Sequence, residues 1–166
     1  APFPGVAVGV TLLAVQRCAP AALRATSLQT TPRTAAPYPT LLIVDDSPEN
    51  LMVLGEVLRS HYRVRAANSG QRALQLAQQR PLPDLILLDV MMPGMSGYDV
   101  LARLRESADT REIPVIFVTA MNAAEDEEHG LTLGAVDYIT TPLRPPIMLA
   151  RVRTHLELKR ARDRLK

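Results

Sequence analysis

The sequence predicts an α/β protein built on a parallel sheet covered by helices on both faces. Three observations carry that prediction. From residue 40 onward, short apolar runs recur, and uninterrupted runs of that kind suit strands buried on both faces. Amphipathic segments of helical period separate the runs. Two runs, Leu41-Leu42-Ile43-Val44 and Leu85-Ile86-Leu87-Leu88, stop at carboxylates, Asp45-Asp46 and Asp89. Alternating strands and helices joined by right-handed crossovers make a doubly wound sheet. Ligands bind such sheets beyond the carboxyl ends of the strands.

The elements follow in order. Strands are expected at residues 41–44, 62–66, 85–88, 113–118 and 136–139, and helices at 48–60, 70–79, 97–107 and 123–133, with a long last helix from Pro145. Ser47-Pro48 supplies a cap residue and a proline at the first helical position. Leu51, Leu54 and Leu58 repeat at helical spacing and face the sheet. Ser96-Gly97-Tyr98-Asp99 and Asn122-Ala123-Ala124-Glu125 have the form of capping boxes. The acids Glu125 to Glu128 suit the positive end of their helix. In the last helix Leu149, Val152 and Leu156 have core spacing. Leu158, Ala161 and Leu165 continue on a shifted stripe that suits a partner or a following domain.

Length and composition set the limits. The chain has 166 residues, 47% of them hydrophobic, enough for one domain with a core. No apolar run reaches the roughly 20 residues that cross a bilayer. Cys18 is the only cysteine, so an internal disulfide is excluded. The net charge of +2 is unevenly spread. Residues 1–39 carry three Arg and no acid, residues 40–144 nine Arg and fifteen acids, and residues 145–166 seven Lys or Arg and two acids. The acidic centre argues against nucleic-acid binding. The basic last helix reads as a solvated linker, since no nucleic-acid-reading module follows it. Residues 1–39 hold six of the fourteen prolines and read as a disordered leader or an expression remnant.

The chemistry gathers at the strand ends. Asp45, Asp46, Asp89 and Thr119 all fall there. Two like charges about 4 Å apart repel by roughly 4 kcal/mol at an effective dielectric near 20. Three carboxylates therefore hold a proton or recruit a divalent cation. Mg²⁺, which takes oxygen ligands and bridges carboxylates to phosphoryl groups, fits that set. Taken singly, Asp45 or Asp46 is as readily a helix cap. A carboxylate can also attack phosphorus and form an acyl phosphate. Asp89, alone on its strand, is the better nucleophile. A fixed hydroxyl such as that of Thr119 would stabilise the transferred charge.

With these residues in hand, residues 40–157 resemble the receiver domain of a bacterial two-component response regulator. The matching pieces are Leu42-Ile43-Val44-Asp45-Asp46, the run from Leu87 through Asp89 to Gly97, Val118-Thr119-Ala120, and Gly134-Ala135-Val136-Asp137-Tyr138-Ile139. The resemblance implies a flavodoxin-like strand order 2-1-3-4-5 with five helices, the last extended, and a cytoplasmic signalling module rather than an enzyme. It implies that Asp89 accepts phosphate from a histidine kinase or phosphotransfer protein. Asp45, Asp46, Asp89 and the Met91 backbone carbonyl would hold Mg²⁺. The Thr119 hydroxyl and the Ala120 backbone N–H would contact the phosphoryl group. Thr119 and Tyr138 would form the switch, although Tyr138 equally suits a packed strand aromatic. Met91 and Met121 would limit water access to the acyl phosphate, or simply fill gaps. Residues 158–166 would be a linker helix toward an output domain, and residues 123–158 the usual homodimer face. The Thr141-Pro142 bond is expected to be cis, at Pro142.

One residue departs from the family pattern. Thr141 stands where the family has a lysine that reaches the phosphoryl group. Losing such a charge-assisted hydrogen bond costs roughly 1.5–3 kcal/mol. Arg144 is close enough in sequence to substitute, though a solvated loop Arg is the plainer reading. Thr141 motivates an alternative, a pseudo-receiver acting by protein contacts without phosphate. A phosphatase of the haloacid-dehalogenase type wants two acids one residue apart after a strand, and Asp45-Asp46-Ser47 and Asp89-Val90-Met91 lack that spacing. Flavin binding lacks its phosphate loop after the first strand.

Overall fold

The computed structural model describes residues 38–120 and 124–165. Among them, strands β1 (Thr40–Val44), β2 (Arg63–Ala67), β3 (Leu85–Leu88), β4 (Val115–Thr119) and β5 (Asp137–Thr140) alternate with helices. These are α1 (Pro48–Arg59), α2 (Gly70–Ala77), α3 (Gly97–Glu106), α4 (Ala124–Thr132) and α5 (Pro145–Arg164). Every pairing is parallel and the order is β2-β1-β3-β4-β5. Most of the leader, Met121 and the expected cap at Asn122 lie outside the described residues.

The period-two alternation of strand side chains divides the core in two. Leu41, Ile43, Leu85, Leu87, Ile116, Val118 and Ile139 pack with Leu54 and Leu58 of α1 and with Met148, Val152 and Leu156 of α5. Leu42, Val44, Ile86, Leu88, Val115 and Phe117 point the other way, to Ala73 and Leu76 of α2 and Val100, Leu101 and Leu104 of α3. Leu41, Leu42 and Ile43 are fully buried. Each such side chain contributes roughly 1.5–3 kcal/mol, so the central strands form the rigid frame of the site.

Element edges shift from the sequence reading for local reasons. The Tyr62 N–H closes the end of α1 on the Leu58 carbonyl at 2.9 Å, so β2 starts at Arg63. Pro114 has no N–H to give the ladder, and β4 starts at Val115. Gln78 turns its N–H to Gln75 and Leu76, ending α2. Met148 takes the fully buried place in α5, and Leu149 packs only partly against that cluster. Leu158 and Leu165 are 59% and 88% exposed, as their shifted stripe requires. Ser47 caps α1 with Pro48 behind it, and Ser96 and Asp99 close a capping box on α3.

Arg105 ties three segments together. Its guanidinium donates to the carbonyls of Arg111 at 2.8 Å, Ile113 at 2.9 Å and Gly134 at 3.0 Å. Gly134 has φ +109°, a turn that glycine alone makes without strain. The terminal helix is pinned by Arg151 and His155 on Asp137, at 2.7 and 3.1 Å, and by Arg162 on the Glu112 carbonyl at 2.8 Å. Arg105→Met keeps the side chain's bulk and loses all three bonds. The expected loss is about 1–3 kcal/mol in urea unfolding, well above the few tenths of an ordinary surface change.

Candidate functional site

The parallel ladder builds the site. Val44 pairs with Leu88, and the residue after each is an aspartate. The Asp89 N–H donates to the Val44 carbonyl at 2.9 Å, and the Asp45 N–H to the Ala67 carbonyl at 3.1 Å. Carboxylate oxygens of Asp45, Asp46 and Asp89 come within 4.8 Å of one another. Asp45 and Asp89 are 5% and 8% exposed, while Asp46 faces solvent. Neither Asp45 nor Asp46 caps α1, because Ser47 does.

Donors surround the two buried acids. Asp45 accepts from the Ser47 N–H at 2.9 Å and from the Asn50 amide at 3.0 Å. Asp89 accepts from the Met91 N–H at 3.3 Å, and the side chain of Thr119, the buried last residue of β4, lies near enough to pull its carboxyl down. Gly97 lets α3 approach. A Cβ there would collide with the Asp89 carbonyl oxygen, and its N–H bonds the Val90 carbonyl at 2.9 Å. The loop between β3 and α3 is thereby held from both ends.

Burial, and then the charges of Asp45 and Asp46, push the Asp89 carboxyl from 3.8 up to about 6 against the opposing pull of the Met91 N–H and the Thr119 side chain. Asp45 is also raised, chiefly by burial. A group held this way prefers its proton or a cation to standing charged and alone. The donor set is three hard carboxylate oxygens with unused lone pairs, and it fits a hard divalent cation.

Thr119 also reaches the neighbouring strand, where its carbonyl accepts from the Thr141 N–H at 3.0 Å. Ala120 follows it, exposed. Tyr138 is 5% exposed. Its hydroxyl is buried with no hydrogen-bond partner among the described residues, and burial heads the causes that push it up to about 12. Its ring lies 6.2 Å from Phe117, which lies 5.3 Å from Tyr98. The Thr141–Pro142 bond is cis. Thr141, Arg144 and Arg151 line one open cavity with Tyr138 and Ile147, and Met91 is 62% exposed beside Asp89.

Comparison with known proteins agrees with this arrangement. The family described as response regulator receiver domain matches residues 41–153, and the chain belongs to that family. It is 48% identical over 124 residues to a protein named probable cyclic di-GMP phosphodiesterase from Vibrio cholerae. It is 41% identical over 127 residues to response regulator PleD from Caulobacter vibrioides. These matches cover 75% and 76% of the chain but only 28% of each relative. Among solved structures, chemotaxis protein CheY4 of Vibrio cholerae matches with TM-score 0.66 and 27% identity, covering 70% of this chain and 97% of that one. A CheY-like receiver domain protein from Methanospirillum hungatei matches with TM-score 0.68 and 25% identity, covering 75% and 98%. The molecule is a response regulator receiver domain of the two-component kind, and no described helix is long and apolar enough to cross a membrane.

Sequence reasoning assigned no site role to two residues that shape the site. Asn50 carried a faint signal, a polar side chain in the first turn after the acidic pair. Gly97 stood in the matching run and in the expected cap, but its close approach to Asp89 depends on packing. Arg105, which ties the loops together away from the acids, looked like any surface arginine.

The raised carboxyl of Asp89 has a consequence for stability. The folded state holds that proton more tightly than the unfolded chain, so the stabilising contribution is complete below pH 3.8 and is lost as pH rises through about 6. Without divalent cation, Asp89→Asn is expected to stabilise the domain by roughly 1–3 kcal/mol at pH 7.5 and by almost nothing at pH 4. Urea unfolding of both proteins at both pH values checks this. An equal gain at the two pH values would rule it out.

Proposed function

We propose that this domain receives a phosphoryl group on Asp89 from a histidine kinase or a histidine phosphotransfer protein. The observation that carries the reading is the buried Asp89 carboxylate at the end of a central strand, grouped with Asp45 and Asp46. An oxygen of Asp89 attacks phosphorus, the P–N bond to the donor histidine breaks, and an acyl phosphate forms. Asp45, Asp46, Asp89 and the Met91 carbonyl would hold Mg²⁺, which offsets carboxylate charge against the incoming phosphoryl oxygens. The Thr119 hydroxyl, whose side chain acts on Asp89 in the resting site, turns to a phosphoryl oxygen, and the Ala120 N–H takes another.

Tyr138 supports a switching role alongside Thr119. Among the described residues the buried Tyr138 hydroxyl has no partner; leaving such a group unsatisfied costs about 1–3 kcal/mol, which would favour an outward position where water offers one. The receiver unit spans residues 40–157, since the core contacts of α5 end at Leu156. Residues 158–166 continue as a linker helix, and an output domain beyond it agrees with relatives of which this chain spans 28%. The donor enzyme and the site chemistry suit the cytoplasm, and any catalytic activity would belong to the output domain.

Incubation with Mg²⁺ and acetyl phosphate is expected to add one phosphoryl group by intact mass. The adduct should be labile to hydroxylamine and absent with chelator or in Asp89→Asn. No adduct, under conditions that label an ordinary receiver, would favour the pseudo-receiver. The missing lysine gives a second expectation. Thr141→Lys restores a cation beside the phosphoryl site, and about 1.5–3 kcal/mol for that bond predicts beryllofluoride binding roughly 10- to 100-fold tighter. NMR titration of both proteins with Mg²⁺ present measures it, and equal affinities would sink the idea.

A further inference from the structure

We propose that Asn50 is a positioning residue of the acidic site, holding Asp45 in the orientation that divalent-cation binding requires. The inference rests on the cation-assisted reading above and assigns a residue that reading does not use. Asp45 is repelled by two other carboxylates within 4.8 Å, and a free side chain would rotate away from them. Two donors prevent that rotation, both from the start of α1. The Ser47 N–H takes Oδ1 at 2.9 Å and the Asn50 amide takes Oδ2 at 3.0 Å. Two donors on two oxygens fix the plane of the carboxylate, and each oxygen keeps a lone pair for a cation.

The helix start holds Asn50 in turn. Its backbone N–H donates to the Ser47 hydroxyl at 3.4 Å, so cap and clamp share one turn. Asn50 makes no contribution to the core; the residue is exposed, and only its amide bears on the site. Partners that orient metal-binding carboxylates are typically worth 10- to 100-fold in affinity. Ser47 keeps its own bond to Asp45 in any Asn50 variant, so the lower end applies.

The test is calorimetric titration of Mg²⁺ into the full chain and its Asn50→Ala, Asn50→Leu and Asn50→Gln variants, with thermal unfolding in the absence of divalent cation. Asn50→Ala and Asn50→Leu are expected to bind Mg²⁺ roughly tenfold more weakly with an unchanged cation-free unfolding midpoint. Asn50→Gln, which keeps the amide donor, should recover part of the loss. Unaltered affinity in Asn50→Ala and Asn50→Leu overturns the inference while leaving the reading of the site intact. So does a loss that tracks a lowered cation-free midpoint and is not recovered by Asn50→Gln. A parent chain that takes up no Mg²⁺ overturns the cation-assisted reading itself, and this inference with it.

Discussion

Val44 and Leu88 are partners in the ladder between β1 and β3, and because the two strands run the same way, the residues that follow them leave the sheet together. Both are aspartates, and Asp46 comes with the first. Three carboxylates then share a space less than 5 Å across. A parallel register fixed by apolar burial thus forces an electrostatic problem that the rest of the site answers. In an antiparallel pairing the same two strands would end at opposite edges, and the acids would never meet.

The repulsion is contained by backbone and side-chain donors around it. The Ser47 N–H and the Asn50 amide hold Asp45, while the Met91 N–H holds Asp89. They do not cancel it, since Asp89 remains pushed up to about 6. That residual cost is tolerable because Leu41, Leu42, Ile43, Ile86 and Leu88 beneath are fully buried and leave the strands no freedom to relax. Gly97 completes the enclosure, bringing α3 against the Asp89 carbonyl where any side chain would collide. A rigid core and an electrostatically unsatisfied edge are two sides of one arrangement.

The frame was legible in the sequence because it rests on local, periodic signals. Unbroken apolar runs such as Leu85 to Leu88 can only be central strands, and Ser47-Pro48 and Ser96 to Asp99 announce their helices. The strand order came from the family resemblance, since pairing between distant segments leaves no mark in any one of them. The acids were legible as a group through their shared position at strand ends. The side chains that orient them were not. The reach of Asn50 to Asp45 and the fit of Gly97 against Asp89 depend on how α1 and α3 lie on the sheet, which is a product of packing. Arg105 shows the same limit, because its three carbonyl partners lie 6, 8 and 29 residues away.

Thr119 joins the acidic edge to the last strand in a way that does not involve residue 141's side chain. Its side chain lies near enough to Asp89 to pull that carboxyl down, and its carbonyl takes the Thr141 N–H at 3.0 Å. Thr119 pairs with Thr140, and two residues earlier Phe117 pairs with Tyr138. The ladder therefore links Thr119 through the main chain to β5 and to a tyrosine whose buried hydroxyl has no partner among the described residues. A lysine at position 141 would add a charged link from α5's leading loop to the same edge, but the ladder already spans it. On the phosphorylation reading proposed above, the departure at Thr141 would thus weaken the hold on charge at the site more than it would sever a path from Asp89 to Tyr138.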